Sequence, residues 1–151
     1  MKIYIAGSSQ ELGRCERAIL FATSLGFKVT YDWTESVRTS IAQGVLEHEL
    51  PFEHREHQAR RDLQAIDDAD AIVVLLPEKG GTSRGCWIEF GYALGVYAHK
   101  TRGTPLRTYL LRDPLAANVS LFEALGTTVY CTDDRHGLGQ VAHFMRPSEG
   151  A

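Results

Sequence analysis

The chain has 151 residues, 44% of them apolar, and a formal net charge of -3. That length suits one domain around one buried core. Charges of both signs, spread along the chain, leave no basic stripe to neutralise a phosphate backbone, which argues against a nucleic acid polymer as partner. No apolar run approaches the roughly 20 residues that cross a bilayer, and no leader segment is recognised, so a cytoplasmic protein is expected. Cys15, Cys86 and Cys131 are odd in number and lack CxxC spacing, which indicates neither a disulfide framework nor a zinc site.

Short apolar strands alternate with helix-period segments along the chain. This pattern predicts an α/β fold, a single-domain doubly wound five-stranded parallel sheet of flavodoxin or Rossmann type flanked by helices, over residues 1–146, with a flexible tail at 147–151. Strands are expected at 2–6, 28–31, 71–76, 107–111 and 127–130. Helices are expected at about 10–25, 56–69, 84–99 and 134–145, with a short one near 118–125. The run Ala71 to Leu76 is continuously apolar, as a central parallel strand should be. The stretch from Glu35 to Arg55 shows little periodicity and carries Gly44 and Pro51, so it reads as a long loop, either a plain connection or a lid.

Ligands of such folds sit beyond the carboxyl ends of the strands, near the point where strand order reverses. That rule selects Gly7 and Ser8 after the first strand, Asp32 and Trp33 after the second, and the turn Gly80 to Gly85 after the third. The turn opens a helix whose free backbone N–H groups suit an anion or a sugar hydroxyl, with Ser83 adding a hydroxyl. In that helix, Cys86 to Tyr97 is apolar on every face except for Glu89, its single formal charge. A carboxylate buried there costs several kcal/mol unless it is paired or needed, so Glu89 is the leading candidate for chemistry. Service as a partner of the helix dipole is the competing account, and it would require an exposed face. Gly91 and Gly95, four apart, suit close packing of a helix or subunit.

Four carboxylates, Asp62, Asp67, Asp68 and Asp70, precede the third strand. A helix entering that strand runs antiparallel to it, so only Asp62 falls at the carboxyl edge; it is either a surface charge or part of the site. His48, His54 and His57 stand among Glu47, Glu49, Glu53 and Glu56, but without HExxH order. They read as a solvated charged run rather than a metal centre.

These residues resemble the nucleoside 2-deoxyribosyltransferase superfamily, which includes the 2'-deoxynucleoside 5'-monophosphate N-hydrolases. The resemblance rests on Tyr4 three residues before Gly7, on Asp62-Leu63 entering an apolar strand, and most on Ser83-x-Gly85-x-x-x-Glu89-x-Gly91. It implies cleavage or transfer of the N-glycosidic bond of a 2'-deoxynucleoside or its 5'-monophosphate, through a covalent bond between the sugar and Glu89. It also implies that Tyr4 hydrogen-bonds Glu89, that Asp62 holds sugar hydroxyls or moves protons, and that no metal or organic cofactor is needed. Asp32 and Trp33 would meet the base, unless Trp33 is simply core.

Serine at position 83 resembles the monophosphate hydrolases, where it would touch phosphate, and Asn118 and Ser120 lie where a neighbouring subunit's site is reached in a homodimer with a shared active site. The chain departs from that pattern at Gln10, where the hydrolases carry an arginine, and Arg84 is the candidate to compensate. A non-catalytic nucleotide sensor on the same scaffold, or a hydrolase of another ribosyl compound such as NAD, remain the alternatives.

Overall fold

In a computed structural model, the described residues are 1–46, 49–77, 83–99, 107–115 and 121–146, with the side chains of 97–99, 121 and 122 excepted. Five parallel strands form one sheet: β1 (Lys2–Ala6), β2 (Lys28–Val29), β3 (Ala71–Leu75), β4 (Arg107–Arg112) and β5 (Thr127–Tyr130). Their order is β2-β1-β3-β4-β5. This is the doubly wound order in which the chain reverses direction across the sheet between β1 and β3. The register there pairs Tyr4 with Ile72 and Ile5 with Val73.

Five α-helices flank the sheet: α1 (Leu12–Ser24), α2 (Thr34–Ala42), α3 (Phe52–Asp67), α4 (Arg84–His99) and α5 (Asp134–Met145). Helices α1 and α5 pack together on one face, with α2 against α1, and α3 and α4 pack together on the other. All five residues of β3 are buried, as their unbroken apolar run requires. Strand side chains alternate between faces, so Tyr4 turns toward α3 and α4 while its neighbours turn toward α1.

The segment read as a loop from Glu35 to Arg55 is instead largely helical. Asp32 accepts from the amide of Thr34 at 3.0 Å and from its hydroxyl, closing an Asx turn at the start of α2. Gly44 (φ 70) ends it, with Gly44 N donating to Ile41 O and Val45 N to Ser40 O. This is a Schellman stop, so the glycine that suggests a loop marks a helix C-terminus. Helix α3 begins at Phe52 behind Pro51, a turn earlier than the periodicity of its apolar residues indicates. The 118–125 helix is described only as a 3-10 turn, Leu121–Leu125.

Helix α4 is not covered all round by the described residues. Ile88 is 68% exposed, and Arg84, Gly85, Gly91 and Gly95 are exposed beside it, while Cys86, Phe90 and Ala93 are buried against the sheet. A methyl added at Gly91 or Gly95 would meet nothing. No helix among the described residues is long and apolar enough to cross a membrane.

Candidate active site

The first contribution to the site comes from β1. Tyr4 is fully buried at the centre of the strand, yet its hydroxyl reaches Glu89 Oε1 at 2.6 Å and Asp62 Oδ1 at 3.1 Å. The three groups come from β1, α3 and α4, and 58 and 85 residues separate the tyrosine from its two partners. A phenol carries one proton, and the shorter distance gives that proton chiefly to Glu89. Burial pushes the Tyr4 phenol well above its ordinary value of 10.0, and the charges of Glu89 and Asp62 push it further in the same direction. Tyr4 therefore stays a neutral donor throughout the physiological range.

Above this trio opens a cavity of about 520 Å³, lined by Gly7, Ser8, Tyr31, Trp33, Asp62, Ser83, Arg84, Gly85 and Glu89 among others. That is the size of an ordinary small-molecule site. It lies at the β1/β3 reversal, where the doubly wound fold leaves a crevice. Each wall has a local cause. Gly7 is required by close approach, because a Cβ there would stand 2.3 Å from Cys15 Sγ on α1. Ser8 accepts from the amide of Gln10 at 3.3 Å and starts the 3-10 turn that carries the chain into α1. Trp33 is buried with its indole N–H donating to Ile5 O at 2.9 Å, so it presents an apolar edge and keeps no donor for a ligand.

Ser83, Arg84 and Gly85 bring the positive end of the α4 dipole to the cavity. The Ser83 hydroxyl faces Cys86, lying 2.8 Å from its thiol and accepting from its amide at 3.4 Å. It must turn away from that contact to meet a ligand. Burial holds the Cys86 thiol up at about 12, so it is a packing group. Arg84 is exposed and supplies the positive side chain of the described lining.

Not every residue selected from the sequence comes to this place. Asp32 is committed to Thr34 and does not line the cavity. Asn118 and Ser120 lie outside the described residues, as do His48 and residues 80–82 of the glycine-rich turn. Among the described residues no three histidines, cysteines or acids gather closely enough to hold a metal ion. Four lining residues escape sequence reasoning: Tyr31, Ser36, Val37 and Gln58. Gln58 could have been found, since it stands one turn before Asp62 on the same face of α3. Tyr31 carries no such signal, and its ring is covered by the Arg61 guanidinium at 4.2 Å.

No family model matches the chain, and no curated protein matches it. Among solved structures, it is similar to the CMP N-glycosidase BcmB of Clostridium botulinum, with a TM-score of 0.61 and 17% sequence identity. The superposition covers 96% of this chain and 100% of that one. At that identity the likeness establishes a shared fold over essentially the whole domain.

Proposed function

We propose that this protein cleaves the N-glycosidic bond of a nucleoside 5'-monophosphate, with Glu89 as nucleophile. The observation that carries the reading is the buried Tyr4 hydroxyl bridging two carboxylates from different helices at the floor of the cavity. A protein does not gather two acids around one donor for stability, since like charges at this range raise each other's cost. Bonds of 2.6 and 3.1 Å to one oxygen also hold the acceptor atoms closer than the roughly 6.5–9.5 Å that a base-activated water would need between paired carboxyl groups. Direct attack fits that spacing better.

In the proposed reaction a Glu89 oxygen bonds to C1' as the C1'–N bond breaks. The departing base takes the electron pair and a proton supplied by Asp62 or solvent, leaving a sugar ester on Glu89. Water then attacks C1', freeing the carboxylate and giving up its proton. Tyr4 orients Glu89, and Asp62 holds a sugar hydroxyl or relays the proton. The 5'-phosphate is assigned to the α4 N-terminus, with Arg84 supplying the charge that Gln10 does not. The resemblance in sequence favours a 2'-deoxy sugar, while the structural neighbour is named for CMP, a ribonucleotide. A second copy packing on the exposed stripe of Ile88, Gly91 and Gly95 would complete the proposed homodimer.

The test is incubation with ribo- and deoxyribonucleoside monophosphates, with and without a second free base, followed by chromatography. Release of free base without an acceptor supports hydrolysis, and a new nucleotide formed only with the acceptor supports transfer. If no substrate turns over but nucleotides bind equally to wild type and Glu89→Gln, the protein is a sensor.

A further inference from the structure

A second cavity of about 300 Å³ adjoins the first and shares Ser9, Gln10, Val37 and Gln58 with it. Its remaining wall is mostly apolar: Ile41 from α2, then Val45, Leu46 and Leu50 from the connection to α3. Ile41 and Leu46 are each more than half exposed beside this wall, across the stop that ends α2.

The shared residues make the two cavities neighbours, with the α4 N-terminus, Glu89 and Asp62 in the first and the aliphatic residues in the second. On the reading proposed above, phosphate and sugar lie by the α4 N-terminus, Glu89 and Asp62, which leaves the base toward the shared residues and the second cavity. The first cavity alone is large enough for an unmodified nucleotide. An acceptor base would approach C1' from the position the leaving base vacates, so it has no use for the added space. What that space suits is an apolar group attached to the base.

We infer that this second compartment receives an apolar substituent on the nucleobase, and that the amides of Gln10 and Gln58 at its threshold read the polar edge of the base. An amide offers both a donor and an acceptor, which the mixed edge of a base requires. The preferred substrate is then a nucleotide with an alkylated base rather than an unmodified one.

The inference rests on the nucleotide reading, so binding and turnover are measured separately. Matched pairs of nucleoside 5'-monophosphates, one purine and one pyrimidine, each with and without a butyl group on the base, are titrated against the full chain by calorimetry and assayed for base release. At least one butyl compound is expected to bind about 10-fold or more tighter than its parent, since each methylene in a fitted apolar pocket discriminates strongly. Ile41→Asp and Leu46→Ser change exposed positions and should bring that ratio close to one. Tighter binding without turnover would sink the glycosidase reading and leave this inference standing. Equal or weaker binding of both butyl compounds in the wild type overturns the inference, as does a preference that neither substitution reduces.

Discussion

Two of the charged clusters at the carboxyl edge of the sheet, one on each face, are built on opposite principles. On the α1/α5 side, Arg14 donates to both oxygens of Asp134 at 2.7 Å, to Glu11 at 2.7 Å and to Leu76 O at 2.8 Å. Burial disfavours its charge, but the bonds and charges of Asp134 and Glu11 outweigh that and hold the guanidinium above its ordinary value. On the α3/α4 side, Tyr4 stands between Glu89 and Asp62, and a neutral donor joins two acids. The first cluster sets opposite charges against each other and ties α1, β3 and α5 together. The second places like charges side by side at the floor of a cavity. On the function proposed above, the contrast separates charge that holds the fold from charge kept for chemistry.

The comparison can be broken most sharply at Glu89. Glu89→Gln keeps the shape and removes the charge, so kcat for base release should fall on the order of 10³-fold or more. Thermal stability should hold or rise, because one of two like charges is gone. A variant that keeps turnover would place the chemistry elsewhere.

Arg14→Ala should show the converse. Removing one partner of a largely buried pair costs about 3–5 kcal/mol, read as a lower denaturant midpoint, while turnover per folded molecule changes little. If turnover is lost in step with Glu89→Gln, the two clusters are not separate in role.

Tyr4→Phe sharpens the picture, since it removes only the shared donor. A fall in kcat of about 10- to 100-fold with KM nearly constant is expected if the hydroxyl orients Glu89 for attack. Stability against pH offers an independent readout. The folded protein holds the Tyr4 proton more tightly than the unfolded chain, so this group's contribution is full below pH 10.0 and is lost as pH rises above it. The Phe variant should lack that part of the alkaline decline.

The smallest effect is expected at Arg84→Ala, a change at an exposed residue. KM for a 5'-monophosphate should rise about 10-fold, and KM for the matching nucleoside should stay put. Equal effects on both would remove the phosphate from the α4 N-terminus.

Much of the architecture could be read without coordinates. The continuous apolar run Ala71 to Leu75 announces a central strand, and the α4 and α5 ranges agree with the helices expected at 84–99 and 134–145. Helix α2 was hidden because its apolar positions are few and its C-terminal glycine looks like loop punctuation. The exposed stripe on α4 was hidden for another reason: hydrophobicity tells that a face wants cover, not whether the same chain provides it.

For the site, residue type and chain order were enough to single out Glu89 and to set Asp62 apart from the neighbouring acids, because an acid in an apolar helix and an acid at the strand's carboxyl edge are both visible locally; Tyr4 entered only through the family resemblance. Which atoms meet is a matter of tertiary structure. Hydrogen bonds of 2.6 and 3.1 Å across 85 and 58 residues depend on how α3 and α4 lean on the sheet. So do the commitment of Asp32 to Thr34 and the extension of the cavity past Gln58. Periodicity and composition report what each segment prefers to bury, whereas a binding site is the space left over when those segments pack, and that space has no sequence of its own.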